Sequence, residues 1–197
     1  MRVLSADRGE DRAAVIADRT HFLAVVADGA GGTGGGAEAA DAVVSLVREH
    51  APASDPRRSW RQLLLDLDCD LAGSSHGGQT TAVVLEIVDG TIFGASVGDS
   101  CAWLLSDTET LELTTEHIRK PLLGSGACIP VSFGPVRGAK RVILGSDGLF
   151  KYVPLQAIHS HARCRDLTAG VEALVLAARL PSGGFQDDIA VILCELA

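Results

Sequence analysis

Residues 25–44, VVADGAGGTGGGAEAADAVV, carry the junction on which the reading of this chain turns. An apolar run ends at Asp28, and six of the next eight residues are glycine before an Ala-rich stretch opens at Ala37. Val25 and Val26 suit a buried strand, and the segment from Ala37 suits a helix. The glycines suit neither, because each loses more backbone freedom on ordering than any other residue. Their use is to let something come close to the main chain beside Asp28. The stretch therefore reads as strand, acidic turn, helix.

Outward from it, the strand signals are frequent. Residues 80–88 and 91–97 are β-branched runs joined by Asp89-Gly90, a strong hairpin signal. Further strands are expected at 12–17, 22–27, 102–105, 141–144 and 189–196. Helical spacing of apolar residues predicts helices at 37–50, 60–72, 155–161 and 167–180, with Val43, Val44 and Val47 on one face of the first. Hairpin-joined strands with helices inserted in pairs predict an α+β fold with largely antiparallel sheet.

The 197 residues suffice for one domain, expected to span 1–197, without an internal repeat or linker. A net charge of −8, from 17 basic and 25 acidic residues, argues against nucleic acid or an anionic membrane as partner. Arg57, Arg58 and Arg61 read as a solvated loop and helix start. No segment reaches the roughly 18 apolar residues of a membrane span, and the N-terminus lacks the apolar core of a signal peptide. Cys69, Cys101, Cys128, Cys164 and Cys194 show no CxxC spacing and read as reduced, buried thiols in a cytoplasm.

Acidic residues stand at four strand ends: Glu10-Asp11, Asp28, Asp147, and Asp187-Asp188. Carboxylates converging at strand termini repel one another, and their ionised forms persist only with cations between them. Hard divalent cations take such oxygen ligands. Glycine beside the ligand, as at Gly29 and Gly148, admits a carbonyl or water without a Cβ in the way. Taken singly, each Asp-Gly pair reads equally as a turn. His159, His161 and Cys164 read as surface and core residues. Ser100 and Ser146 sit in no G-x-S-x-G elbow, and residues 29–36 lack the endings of a P-loop or dinucleotide fingerprint.

The ordered set Asp28-Gly-Ala-Gly-Gly32, Gly78-Gln-Thr-Thr-Ala82, Val97-Gly-Asp-Ser100, Ser146-Asp-Gly-Leu149 and Asp187-Asp-Ile-Ala-Val191 resembles the PPM family of metal-dependent protein serine/threonine phosphatases. The resemblance runs from Glu10 to the C-terminus. It implies a four-layer α-β-β-α sandwich, two antiparallel sheets flanked by helix pairs. It also implies two Mn²⁺ or Mg²⁺ ions in a cleft at one end, with a third in some members. On this likeness Asp28 bridges the ions, Gly29 lends its carbonyl, Glu10 acts through water, and Asp147 and Asp187 hold the second ion. Asp28, Asp147 and Asp187 then carry catalysis: a metal-bridging hydroxide attacks the phosphorus of a phosphoserine or phosphothreonine protein, with no protein nucleophile. A cytoplasmic signalling role opposite a kinase follows from the same likeness. Asp99 reads as a support behind the ligands, and Thr80 and Thr81 as a buried strand motif.

The chain departs from the family pattern in places. The arginine that grips phosphate four residues before the first ligand is Ala6 here, with Arg8 or Arg12 as replacements for substrate binding. Ala30 stands where many members have histidine, and Asp188 where asparagine is common. Glu116-His117 replaces an Asp-His pair read as a third-metal site, so Glu116 is the third-ion candidate. Residues 118–140 are expected to form a flap beside the cleft. Two other readings stay open: a degenerate relative that binds phosphoprotein without turnover, and a nucleotide-binding module using Gly29 to Gly36.

Overall fold

Residues 2–5, 9–17, 21–32, 34–51, 59–75 and 77–196 are described by a computed structural model. The chain opens with β1 (Arg2–Ser5), β2 (Arg12–Ala17) and β3 (His21–Ala27), then the helices α1 (Gly36–His50) and α2 (Trp60–Gly73). Then come β4 (Ala82–Val88), β5 (Thr91–Val97), β6 (Cys101–Leu105), β7 (Thr110–Glu112), β8 (Val131–Val136) and β9 (Arg141–Gly145). Helices α3 (Asp147–Tyr152), α4 (Leu155–Ala162) and α5 (Leu167–Ala177) precede the last strand, β10 (Ala190–Glu195).

Every pairing is antiparallel, in two sheets ordered β2-β3-β4-β5-β8 and β1-β10-β9-β6-β7. Period-two alternation explains how they stack. In β3, Leu23, Val25 and Ala27 pack with Val43, Val47 and Leu64 of α1 and α2. Ala24 and Val26, between them, meet Leu144 and Ile192 of the other sheet. Ile143, Val191 and Leu193 turn outward onto Ile158, Val171 and Leu174 of α4 and α5. Three apolar layers thus separate four structural layers, the expected sandwich. Strands covered on both faces read as unbroken apolar runs, which is why β3, β4 and β10 stood out.

One buried carboxylate crosses the first helix–sheet layer. Glu86 of β4 is 2% exposed and takes a hydrogen bond of 2.5 Å from the Trp60 indole N–H. Its other oxygen lies 2.6 Å from His21 Nε2. These contacts tie the start of α2 to β3 and β4.

Four elements depart from expectation. β1, β7 and α3 are short, and 118–140 is not one flap. Its second part is β8, an edge strand on β5 with a register shift between Ile92 and Gly94. Gly134 and Pro135 inside β8 mask it in the sequence, though both are tolerated at a sheet edge. All five cysteines are free; Cys101, Cys128 and Cys194 are buried, whereas Cys69 is exposed and Cys164 half-buried. No helix among the described residues is long and apolar enough to cross a membrane.

Candidate active site

Strand register brings the acidic ends together. Arg12 pairs with Ala27, so Asp11 and Asp28 leave the first sheet side by side. Gly145 pairs with both Val191 and Cys101, so Asp147, Asp187 and Asp99 leave the second sheet at that same end. A cleft of about 490 Å³ opens there, walled by Asp28, Gly29, Asp99, Asp147, Asp187 and Arg119.

The Asp28 backbone is pinned on both sides. Its N–H donates to the Thr81 hydroxyl at 3.0 Å, and its carbonyl accepts from the Thr81 N–H at 2.8 Å and the Thr80 hydroxyl at 2.9 Å. The Thr81 hydroxyl lies 2.6 Å from that of Ser100. The two threonines are thus a clamp for Asp28, a duty that β-propensity alone did not reveal.

The glycines close this region main chain on main chain. A Cβ at Gly29 would lie 2.5 Å from the Gly36 backbone, and one at Gly36 would lie 2.8 Å from Ala30 N. At Gly78 it would collide with the Gly35 carbonyl. A Cβ at Gly31 would meet Glu10 Oε2 at 2.8 Å, so Glu10 sits behind this loop rather than in the cleft wall. The loop packs main chain on main chain at Gly29, Gly36 and Gly78, while Gly32 and Gly34 face open space.

Electrostatics mark the cleft as strained. Asp28 is pushed up from 3.8 to about 9, first by burial and then by Asp11, Asp147 and Asp187. Asp11 is 5% exposed and rises to about 6, chiefly through burial, with the Ser146 hydroxyl opposing. Asp147 is raised by burial, Asp99 and Asp187, and lowered by Lys151, 3.7 Å away. One Asp11 oxygen, Oδ2, is sealed from solvent without a hydrogen-bond partner. Crowded carboxylates, a nearby carbonyl at Gly29 and an orphaned buried oxygen form an all-oxygen donor set. That set fits hard divalent cations such as Mn²⁺ or Mg²⁺.

The remaining expected residues fall as follows. Asp188 Oδ2 accepts from the Glu10 N–H at 3.0 Å, knitting two of the acidic ends. Arg8 and Ala6 lie outside the described residues. Arg12 is turned to Asp41 of α1 at 2.6 Å and donates to the Gly9 and Asp11 carbonyls, each at 3.0 Å. It braces the loop and does not line the cleft. Glu116 is exposed and is not in the cleft wall either. Asp99, expected behind the ligands, stands in the wall itself. Sequence reading groups Asp11 with Glu10 at a strand end without a role of its own, and includes Arg119 and Lys120 in the expected flap over 118–140 without singling them out for the wall.

Arg119 and Lys120 belong to a segment strapped beside the cleft. Gly98 N–H bonds the Ile118 carbonyl at 3.2 Å, Arg119 pairs with Asp99 at 2.7 Å, and Leu123 exchanges two backbone bonds with Thr80. Asp68 of α2, 2% exposed, accepts N–H bonds from Gly124 at 2.6 Å, Gly126 at 3.1 Å and Cys128 at 3.0 Å. Gly124 and Gly126 both have positive φ, 94° and 73°, which glycine alone adopts without strain.

No protein-family profile and no curated protein matches the sequence. Solved structures do match its fold. The serine/threonine phosphatase Stp1 from Staphylococcus aureus has a TM-score of 0.84 at 19% identity, over 100% of this chain and 94% of that one. The catalytic domain of the serine threonine protein phosphatase PstP, solved in complex with two manganese ions, has a TM-score of 0.78 at 21% identity, over 98% and 96%. The serine/threonine phosphatase of S. agalactiae has a TM-score of 0.80 at 20% identity, over 99% and 98%. At such identities the likeness is one of fold, and it spans 94% or more of each chain.

Proposed function

We propose that this chain is a metal-dependent protein serine/threonine phosphatase of the PPM type, one catalytic domain over 1–197 that hydrolyses phosphoserine and phosphothreonine in proteins. The observation that carries the reading is the convergence of Asp28, Asp99, Asp147 and Asp187 on one cleft, with Asp11 buried behind it. The shared fold with bacterial serine/threonine phosphatases supports it.

Asp28, the Gly29 carbonyl, Asp147 and Asp187 would hold two Mn²⁺ or Mg²⁺ ions, with Glu10 acting through water. When bound, such a pair supplies an activated water at neutral pH and neutralises the phosphate oxygens. Thr80 and Thr81 hold Asp28 in place, so the carboxylate needs little reorganisation. Lys120 supplies positive charge at the cleft wall and takes the phosphate-binding duty, since Arg12 is engaged by Asp41 and Arg119 by Asp99. A third cation belongs with Asp99 and Asp147, which repel each other across the wall, and not with exposed Glu116. A cytoplasmic role opposite a kinase completes the reading.

The engagement of Arg12 also favours a second reading, a relative that binds phosphoprotein without turnover. Hydrolysis of a phosphothreonine peptide, with and without Mn²⁺, separates the two. Expected is Mn²⁺-dependent turnover that falls at least about 100-fold in Asp28→Asn and Asp147→Asn, beyond the 10–100-fold typical of residues behind metal ligands. Folded protein that binds Mn²⁺ without turnover would sink the enzyme and leave the binder.

A further inference from the structure

Beside the cleft lies a cluster of different chemistry. Cys101 opens β6, Glu112 ends β7, and the tight turn after β7 brings His117 back against both. One ligand atom from each of the three lies within 4.8 Å of the others. Strand pairing fixes two corners of the triangle: Glu112 pairs with Trp103, two residues beyond Cys101 on β6. The turn fixes the third, through the His117 N–H bond to the Thr114 carbonyl at 2.9 Å and the Thr114 hydroxyl bond from Ala102 N–H at 3.3 Å.

Two further observations point to a ligand. His117 Nδ1 is sealed from solvent yet has no hydrogen-bond partner. Cys101 and His117 also line a cavity of about 230 Å³, shared with Asp99, Arg119 and Asp147. A ring nitrogen shut away from water without a partner is a cost to the fold, unless something fills the place. Tetrahedral ligands at zinc-like bond lengths stand about 3.5 Å apart, so the three groups need to close by no more than about 1.3 Å.

We infer that Cys101, Glu112 and His117 form a second metal site, adjoining the oxygen-lined cleft across Asp99, Arg119 and Asp147 but with a different ligand set, and selective for a borderline-soft divalent ion of the Zn²⁺ class. Thiolate and imidazole select such ions, whereas carboxylate and carbonyl groups select Mn²⁺ and Mg²⁺. On binding, the Cys101 thiol gives its proton to solvent, Glu112 offers a carboxylate oxygen, and His117 offers Nδ1 with its proton on Nε2. Three protein ligands leave the fourth tetrahedral position open toward the cavity. The bound ion ties β6 and β7 to His117, two residues before Arg119, and so anchors the start of the strapped segment. The inference goes beyond the phosphatase reading and does not depend on it.

Cobalt is the spectroscopic probe, because thiolate ligation to Co²⁺ gives a strong near-ultraviolet charge-transfer band. Metal-stripped full-length protein titrated with Co²⁺ should develop this band to saturation at one equivalent, and Zn²⁺ should abolish it. Excess Mg²⁺ should not. Cys101→Ser should remove the band, and His117→Gln should weaken Co²⁺ binding at least tenfold, each with a native circular dichroism spectrum. Asp28→Asn should leave the band intact. Should Cys101→Ser not fold, His117→Gln and Glu112→Gln carry the test. The site is disproved by absence of the band at one equivalent. It is equally disproved by a band that survives these substitutions, which would assign the thiolate to exposed Cys69 or half-buried Cys164.

Discussion

At the scale of single residues, the cleft is a set of carboxylates held against their own chemistry. Asp28 and Asp11 bind protons in the folded chain at pH values where the unfolded chain has lost them, because burial and mutual repulsion raise both from 3.8. The stability this protonation contributes is complete below about pH 4 and is lost as pH climbs through about 6 for Asp11 and about 9 for Asp28. The melting temperature of metal-free protein should therefore fall between about pH 5 and about pH 9. Asp28→Asn cannot ionise and should flatten the upper half of that slope. Calorimetry across the range checks both, and a flat or rising profile in metal-free wild type would refute the account. Asp11 and Asp28 differ in legibility. Asp28 announces itself by the glycines that follow, whereas Asp11 sits next to Glu10 and looks like any surface acid. Only the pairing of Arg12 with Ala27 buries it.

At the scale of elements, local periodicity predicted what local periodicity governs. The strands at 12–17 and 91–97 have the expected bounds, and the four longer helices begin within a residue of expectation. The misses are elements whose existence depends on a partner. β7 is three residues long and exists through its bonds to β6, and β8 through its bonds to β5. The strap over residues 117–130 is likewise held from outside, above all by Asp68. Replacing that carboxylate with an amide leaves one acceptor oxygen for three N–H groups and turns a donor toward them. Asp68→Asn should cost at least about 1.5–3 kcal/mol, the worth of one hydrogen bond to a charged group, in urea unfolding. It should also raise KM for a phosphopeptide more than it lowers kcat, because Lys120 rides on the strap. Exposed Asp66, which bonds Gln62 on the same helix, is the control and should change stability by less than about 0.5 kcal/mol as Asp66→Asn.

At the scale of the whole molecule, the two sheets bring acid-bearing ends from far apart in the chain to one edge. Their repulsion is a cost to the fold that a bound cation removes. Mn²⁺ at 100 times its dissociation constant should stabilise the protein by about 2.7 kcal/mol for each ion bound, through mass action alone. Asp147→Asn should lose most of that increment while itself raising the stability of metal-free protein, since one of the repelling charges is gone. Chemical denaturation with and without Mn²⁺ reads both effects. A variant destabilised in the absence of metal would show that Asp147 supports the fold rather than burdening it.

The sequence by itself determined the α+β class with antiparallel sheet and which strand ends carry acid, because alternation, helical spacing and turn residues are encoded within a few neighbouring positions; the order of the layers was implied by the family resemblance. Tertiary structure alone decided what those ends meet. It turned Arg12 to Asp41, put Asp99 and Arg119 in the cleft wall, sealed Asp11 behind Asp28, and brought Cys101, Glu112 and His117 together. Each of these contacts is fixed by antiparallel register or by a turn packed on a strand. Register couples residues at separations set by the whole topology, and no local pattern in the chain records it.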